Sequence, residues 1–346
     1  MKFEAITIKD IAKALGLSPS TVSRSLRDSY EIGADTKKRV QAYAKEHNYR
    51  PNPVALGLKE KRTRSIGIVV AEIANSFFSQ IIDGVESVAY EKGYNIIITQ
   101  SKESVEKEKL ILEYLASRSV DGVIISVSAE THDFTQFTDL KERGMHIVFF
   151  DRISNEIDSH KVTIDNNLGA YKATRHLIEN GCKNIAIVSS NINLSTTQAR
   201  IAGCKKALRE QGIDLKKEKM KHCDYSGDIE KEVQKALDQL FKQKDKPDGI
   251  VSLSDQLSTE IIRCLNKKGI KIPEQVALIG FSNSKNTELL NPSLSIIKQP
   301  AFEMGKKAAT LLLQMIESRK PVTEFETKVL APQIITRKSS QKLKTK

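Results

Sequence analysis

Residues 7–27 read Thr-Ile-Lys-Asp-Ile-Ala-Lys-Ala-Leu-Gly-Leu-Ser-Pro-Ser-Thr-Val-Ser-Arg-Ser-Leu-Arg, a pattern typical of two short helices joined by a tight turn. Thr7 and Asp10 have the spacing of a capping box, which predicts that a helix begins here. Gly16 predicts its end, because glycine readily adopts the left-handed conformation found at helix C-termini. Ser18-Pro19 predicts the start of the second helix, since the hydroxyl can cap it and proline has no N–H to leave unpaired. A helix–turn–helix of this length can lay its second helix in the major groove of DNA.

The distribution of charge favours DNA binding over an ordinary helical hairpin. Residues 1–62 contain 13 Lys and Arg but 7 Asp and Glu, an excess of six in a chain whose net charge is +12. Residues 337–346 add five basic residues and no acidic one, so the chain between these ends is nearly neutral. A basic head on a nearly neutral body predicts that the head contacts phosphates.

Composition excludes several other classes of protein. The 346 residues leave room for two or three domains. The four cysteines are far apart and form no CxxC pair, so we expect reduced, buried side chains. The six histidines form no HxxxH or HExxH pattern, and we expect neither a metal nor a cofactor. The sequence shows no signal peptide and no run of 18 apolar residues, which predicts a soluble, cytoplasmic protein with no membrane partner.

Two further segments follow the helix–turn–helix. Residues 34–48 have the apolar spacing of a third helix, which would complete a small all-α head. Residues 49–59 read Tyr-Arg-Pro-Asn-Pro-Val-Ala-Leu-Gly-Leu-Lys, and Asn52-Pro53 predicts another helix start. Such a helix would be too short to be stable alone in water, so the segment can equally be interpreted as a flexible linker.

From Ser65 onward, apolar strands alternate with amphipathic helices of 10–15 residues. This alternation predicts an α/β core of parallel, doubly wound sheets. Two such runs meet near Asp165 and predict two lobes, with a ligand cleft beyond the carboxyl ends of the strands. The chain has no GxGxxG after a strand, no GxxxxGK[ST] and no GxSxG, so an enzyme is not favoured.

The order Thr-Ile-Lys-Asp-Ile-Ala, Ser-x-x-Thr-Val-Ser-Arg and Tyr-Arg-Pro-Asn-Pro-x-Ala-x-x-Leu resembles the LacI/GalR (lactose-repressor) family of bacterial transcription regulators. The resemblance runs from Thr7 to Arg337. It implies a homodimer that binds double-stranded, near-palindromic operator DNA, and we expect a repressor. It also implies a periplasmic-binding-protein-like core hinged around a small effector, and a hinge helix that forms only on DNA. The C-terminus lacks the leucine heptads that a tetramer-forming coiled coil would need.

The resemblance assigns roles in DNA binding position by position. The residues expected to face base edges are Pro19, Ser20 and Arg24, of which Arg24 has the reach to contact a guanine. The residues expected to contact phosphates are Thr7, Thr21, Ser23 and Asn48. In the hinge, which Asn52 opens, Leu58 would enter the minor groove between base pairs and Ala55 would pack on the groove floor.

The resemblance also predicts an effector site in the cleft. The expected effector-binding residues are Asn75, Phe78, Asp151, Asp165, Arg200, Tyr225, Asp255 and Gln299. Each polar residue could alone be a surface or capping residue, but their shared place at strand ends favours a site. Phe77, beside Phe78, can be interpreted equally as a core or a cleft residue.

Two positions narrow the effector. Ser282 stands where many relatives carry an acid, and Leu194 where purine-responsive relatives carry an arginine, so a nucleobase is not favoured. We expect a sugar or a sugar phosphate held by Arg200 and helix N-termini. The alternative is a sugar-binding receptor or carbohydrate-acting enzyme with no DNA role, which the basic head argues against. The predicted division is a head at 1–51, a hinge at 52–62, a core at 63–338 with lobes crossing near 165, 295 and 320, and a basic disordered tail at 339–346.

Overall fold

A computed structural model of the protein describes residues 6–49, 62–190, 194–213, 219–223 and 228–341. The chain divides into two units between Thr63 and Arg64. The predicted hinge residues Asn52, Ala55 and Leu58 lie outside the described residues, and so does Tyr225.

The described residues of the first unit form three helices around a small apolar core. They are α1 (Ile8–Leu15), α2 (Pro19–Leu26) and α3 (Ala34–Glu46). The predicted caps are confirmed: Thr7 and Asp10 form the capping box, and Gly16 has φ +64°. Ile11, Val22 and Val40, one from each helix, are completely buried. Three short helices therefore stabilise one another through a core that no pair of them could build.

The second unit contains two six-stranded sheets with helices on their faces. In chain order the strands are β1 (Ser65–Val70), β2 (Asn95–Gln100), β3 (Gly122–Ile125), β4 (His146–Phe150), β5 (His160–Ile164), β6 (Ile185–Ser189), β7 (Met220–His222), β8 (Gly249–Ser252), β9 (Ala277–Phe281), β10 (Ser295–Lys298), β11 (Thr327–Leu330) and β12 (Gln333–Ile335). The α-helices are α4 (Ser76–Glu91), α5 (Val105–Ser117), α6 (Thr135–Glu142), α7 (Asn166–Glu179), α8 (Ser195–Glu210), α9 (Ile229–Phe241), α10 (Asp255–Lys267) and α11 (Ala301–Glu317).

Each sheet forms the centre of one lobe. The strand order is β11-β5-β4-β3-β1-β2 in the first lobe and β12-β10-β9-β8-β6-β7 in the second. Every pairing is parallel except β10 with β12. The strands β3, β6, β8 and β9 are buried along their whole length, as expected for strands covered by helices on both faces.

The chain passes between the lobes three times. The first two passages, between Ile164 and Asn166 and between Lys298 and Ala301, lie close to the predicted positions. The third joins β11 to β12 at residues 331–332, not near 320, because β11 still pairs with β5 of the first lobe. This passage enters the second lobe while the passage after β10 leaves it, which explains why β12 runs antiparallel to β10.

Two glycines allow α4 and α11 to approach closely in the first lobe. A Cβ atom added to Gly84 would lie 2.1 Å from the carbonyl oxygen of Phe302, and one added to Gly305 would lie 2.1 Å from that of Ile81. No side chain fits at such distances. The position of α4, whose first turn borders the cleft, is therefore set by backbone contact with α11.

The C-terminal segment differs from the predicted disordered tail. Ser339 and Ser340 are completely buried, within a short 3₁₀ turn at Lys338–Ser340. The Oγ atom of Ser339 donates to the carbonyl of Leu278 at 2.7 Å, so this part of the tail is held against the second lobe. Residues 342–346 lie outside the described residues.

Two further observations concern the cysteines and the length of the helices. All four cysteines are buried, as the sequence predicts, and they lie apart from one another in the structure without a disulfide. Within the described ranges, no helix has both the length and the apolar character that crossing a bilayer demands.

Candidate functional site

Helix α2 has one face exposed to solvent and the opposite face buried in the core of the head. Val22 and Ser25 point into the core, whereas Pro19, Ser20 and Arg24 are exposed. The Oγ atom of Ser25 donates to the carbonyl of Thr21 at 2.9 Å, which keeps this buried hydroxyl paired. The three residues predicted to face base edges therefore share one exposed face of a rigid helix.

Arg24, the predicted reader of a base, already has a partner in the head. Its Nη1 atom lies 2.8 Å from Oε2 of Glu31, and both side chains are about half exposed. An exposed ion pair contributes little to stability, so DNA can compete for the guanidinium at small cost.

The predicted phosphate contacts surround α2 on the head. Thr7 and Asn48 are exposed, and Thr21 and Ser23 are partly exposed. Asn48 has φ +50° and follows the end of α3, and Thr7 is the N-cap of α1. Phosphates are commonly bound at helix N-termini such as that of α1, and by side-chain amides such as that of Asn48. These residues thus lie where contacts with a DNA backbone would orient α2.

A cavity of about 560 Å³ lies between the two lobes. Six of the predicted effector residues line it: Asn75, Phe78, Asp151, Arg200, Asp255 and Gln299. The other lining residues are Ala71, Glu72, Phe77, Lys102, Glu103, Ser104, Ala129, Glu130, Arg152, Ser190, Leu194, Thr196, Thr197, Ser254 and Gln256. Most of them follow the carboxyl end of a strand, where ligands of open parallel sheets bind.

The apolar wall of the cavity is formed by two phenylalanines of α4. Phe77 and Phe78 are both almost completely buried, and their rings meet edge to face at 5.3 Å. Phe78 also contacts Phe150 at the end of β4, with ring centroids 6.3 Å apart. Asn75 begins this helix, and its Oδ1 atom accepts from the N–H of Phe77 at 2.9 Å. Phe77 thus belongs to the core and also lines the cavity, so both interpretations of this residue apply.

Asp151 and Gln299 bring unpartnered polar atoms to the cavity. Oδ1 of Asp151 and Nε2 of Gln299 are buried and have no hydrogen-bond partner among the described residues. Burial raises the pKa of Asp151, although the charges of Arg152 and Arg200 act in the opposite direction. A buried polar atom without a partner costs about 1–3 kcal/mol, so such atoms indicate a place where a ligand or water completes the bonding.

Arg200 is held by contacts of the second lobe. Its Nε atom donates to Oδ1 of Asn166 at 2.7 Å, and its Nη1 atom donates to the carbonyl of Leu253 at 2.6 Å. The guanidinium lies 3.9 Å from the centre of the Phe281 ring. These contacts fix the plane of the guanidinium at the cavity wall.

Asp255 is the first residue of α10 and is held by Ser282, whose Oγ atom donates to its carboxylate. Burial raises the pKa of Asp255, and the hydrogen bond from Ser282 lowers it in part. Ser282 therefore acts on the cavity through Asp255, whereas Leu194 lines the cavity itself.

Family models match both units of the chain. The model of the bacterial regulatory proteins of the lacI family matches residues 7–52. The model of the periplasmic binding proteins and sugar-binding domain of the LacI family matches residues 63–342.

The chain belongs to the LacI family.

Individual relatives agree with this assignment. The HTH-type transcriptional repressor PurR of Vibrio vulnificus is 32% identical over 97% of this chain and 99% of its own length. A LacI-family regulator of Enterococcus faecium, solved with bound ribose, is 30% identical over 81% of this chain and 100% of its own, with a TM-score of 0.71. The lac repressor dimer bound to operator is 23% identical over 97% and 99% of the two chains, and its TM-score of 0.82 shows the shared fold. The chain is therefore a DNA-binding transcriptional regulator.

Asp165 is placed differently from the other predicted effector residues. Its Oδ1 atom accepts from the N–H of Leu168 at 2.8 Å and so caps α7. It is not among the described residues that line the cavity. The contacts of Asp165 therefore support a capping role, which is the alternative given above for polar residues at strand ends.

The sequence interpretation missed the pair formed by Glu103 and Arg152. Both side chains line the cavity, and Glu103 accepts two hydrogen bonds from the guanidinium of Arg152. Lys102-Glu103 lies two residues after the end of β2, so the rule that polar residues after strands belong to the cleft applies here too. Their pairing over 49 positions of sequence could not be inferred from one chain.

Proposed function

We propose that this LacI-family protein is a repressor that binds a near-palindromic operator as a homodimer and responds to a sugar bound between its lobes. The sequence alone is compatible with either a sugar or a sugar phosphate as the effector. Two heads of one dimer would present two α2 helices to successive major grooves, as near-palindromic sites require.

The cavity carries the effector half of this proposal. Its size lies within the range of small-molecule sites. The aromatic rings of Phe77 and Phe78 on one side and the polar atoms of Asp151, Arg200 and Gln299 elsewhere suit a ligand with apolar C–H faces and several hydroxyl groups. The unpartnered Asp151 Oδ1 and Gln299 Nε2 atoms are the single observation that most supports a hydroxylated ligand, because one accepts and the other donates. The ribose held by the Enterococcus faecium relative has this chemistry.

The exposed face of α2 supports the DNA half. On this face, Arg24 has a guanidinium that can donate two hydrogen bonds to one base. The small side chains of Pro19 and Ser20 would allow the helix to approach the bases closely. The hydroxyl and amide groups around α2 would contact phosphates and set its orientation.

Two measurements on the full-length protein test this function. Selection from random duplexes should yield a near-palindromic site bound by a dimer, measured by gel shift and analytical ultracentrifugation. Isothermal titration against sugars and nucleobases should find binding among the sugars, and the bound sugar should change operator affinity. Binding of nucleobases with no response to sugars would contradict the effector assignment, and a selected site without two-fold symmetry would contradict the dimer.

A further inference from the structure

The cations of the cavity are already matched by acceptors. Arg152 binds Glu103 through two hydrogen bonds of 2.5 and 2.8 Å, and Lys102 lies 3.2 Å from the carboxylate of Glu72. Arg200 donates to Asn166 and Leu253. Each positive charge at the cavity therefore has protein acceptors in contact with it.

The carboxylates outnumber these cations. Among the residues that the structure describes, five acidic and three basic ones line the cavity. Among the acids, Asp151 has a buried oxygen without a partner among the described residues, and Asp255 has a neutral partner, Ser282. The formal charge of the lining is negative, so the field in the cavity opposes an anion and favours groups that donate hydrogen bonds.

Glu103 is built firmly into this arrangement. Its Oε2 atom also accepts from the N–H of Ala129 at 2.9 Å, and its backbone has φ +62°, a conformation that non-glycine residues adopt only when their surroundings impose it. Burial raises the pKa of Glu103, but the hydrogen bonds and charge of Arg152 and the N–H of Ala129 together lower it, so the carboxylate is ionised at neutral pH. The Arg152 side chain is 14% exposed. A phosphate that approached this guanidinium would have to compete with the carboxylate of Glu103, which already binds both terminal nitrogens.

We infer that Glu103 determines the effector class: by neutralising Arg152 it makes the cavity selective for a sugar that carries no phosphate. This inference rests on the proposed sugar response and narrows it. A neutral or amino sugar satisfies Asp151 and Gln299 with hydroxyl groups and adds no negative charge. A phosphate ester would bring about two negative charges beside several carboxylates. Among the described cations of the cavity, Arg152 and Lys102 are each paired with a carboxylate, and Arg200 is held by neutral acceptors of the second lobe.

One feature of the cavity could still attract an anion. Helix α8 begins beside it, and no side chain caps the described N-terminus of this helix. Its N–H groups and the partial positive charge of the helix dipole could bind a phosphate without Arg152. The experiment must therefore compare each sugar with its own phosphate ester.

The test begins with unaltered full-length protein. Thermal-shift screening and isothermal titration compare ribose with ribose 5-phosphate, glucose with glucose 6-phosphate and glucosamine with glucosamine 6-phosphate. We expect the effective sugar to bind at least about tenfold more tightly than its phosphate ester, the factor that loss of one charge-assisted contact produces. Tighter binding of the ester would overturn the inference and leave the proposed sugar response intact. Binding of no sugar and no ester would overturn both.

The second step releases Arg152. Glu103→Gln removes the neutralising charge, so the ratio of the two dissociation constants should shift toward the phosphate ester by about tenfold. Glu106→Gln is the matched control, because it removes the same charge from an exposed residue of α5 that does not line the cavity. An unchanged ratio in folded Glu103→Gln, or an equal shift in the control, would overturn the inference.

A variant of the other partner covers the case in which Glu103→Gln does not fold. Arg152→Gln keeps the carboxylate and removes the cation, so the ratio should shift away from the ester. A shift toward the ester in this variant would also overturn the role assigned to the pair. Circular dichroism and the melting temperature monitor folding of each variant.

Discussion

Gln80 and Asn283 exchange two hydrogen bonds between the lobes. Nε2 of Gln80 donates to the carbonyl of Asn283, and Nδ2 of Asn283 donates to Oε1 of Gln80, each at 2.9 Å. Asn283 also accepts from the N–H of Gln299 at 3.1 Å and donates to its carbonyl at 2.8 Å. One amide therefore connects helix α4, the second lobe and the cavity residue Gln299. The hydrogen bonds between the lobes are thus linked, through Asn283, to the backbone of Gln299, whose side chain lines the cavity.

We expect Asn283→Ala to destabilise the core more than Gln80→Ala. Loss of Gln80 removes a partly exposed side chain, which should lower the free energy of unfolding by about 0.5–1.5 kcal/mol. Loss of Asn283 also leaves the buried N–H of Gln299 without its partner, whereas the carbonyl of Gln299 still accepts from Ala301; the unpaired N–H adds about 1–3 kcal/mol. Chemical denaturation measures both, and effector titration should show weaker binding in both. Equal destabilisation by the two variants would contradict this account.

Arg24→Ala should weaken binding to the selected operator by about 1–3 kcal/mol, because a base contact is lost. Affinity for random duplex DNA at the same salt should fall much less. Fluorescence anisotropy with both duplexes measures the difference. Glu31→Gln is the complementary variant, since it frees Arg24 from its ion pair and should tighten binding to both duplexes. Equal losses on the two duplexes in Arg24→Ala would make Arg24 a phosphate contact.

Asp151→Asn should stabilise the core at neutral pH and abolish most effector binding. Burial raises the pKa of Asp151 above that of the unfolded chain, so the wild-type carboxyl stabilises the fold below its unfolded pKa and loses that contribution as pH rises through its folded pKa. The amide avoids this loss, and the melting temperature should rise by about 2–4 °C at pH 7.

The gain from Asp151→Asn should disappear as pH falls below about 4, where the wild-type carboxyl is protonated in both states. Asp158→Asn changes an exposed carboxyl of the same loop and serves as the control, with no gain at pH 7. Calorimetry at several pH values measures the melting temperatures, and isothermal titration at pH 7 measures binding. The prediction would be contradicted if the difference in melting temperature between Asp151→Asn and the wild type were the same at every pH.

Gly305→Ala should destabilise the core by about 1–3 kcal/mol, although alanine is the better helix former. The added methyl group would meet the carbonyl of Ile81, so α4 and α11 would have to separate. Phe78 lies on the same helix as Ile81, and Asn75 caps that helix. Effector affinity should therefore fall as well, because both cavity residues would shift with the helix. Lys307→Ala, at an exposed position of α11, is the control and should change the unfolding free energy by less than about 0.5 kcal/mol.

The elements of the head could be predicted from the sequence because their signals are local. The capping box at Thr7, the left-handed Gly16 and the Ser18-Pro19 helix start each involve residues a few positions apart, and the structure confirms all three. The alternating strands and helices of the core are predicted for the same reason. The predicted bounds of individual helices differ by a few residues, as for the helix expected at 34–48, which spans Ala34–Glu46.

The effector site could be predicted only in part. The rule that polar residues follow strands places Asn75, Asp151 and Gln299 correctly at one cavity, because parallel strands end at a common edge. The same rule does not distinguish a ligand contact from a helix cap, which is why Asp165 was included although its side chain caps α7. The sequence also predicts the third passage between the lobes about ten residues too early, since β11 pairs with β5 over 166 positions of sequence.

By itself the sequence determined the helix–turn–helix, the alternation that makes an α/β core and, through its motifs, the family. These features depend on residues that are neighbours in the chain. Only the tertiary structure decided that Glu103 neutralises Arg152, that Ser282 holds Asp255 and that Gln80 meets Asn283. Each of these pairs joins separate elements whose approach depends on the packing of whole lobes. The charge and shape of the effector cavity result from those approaches.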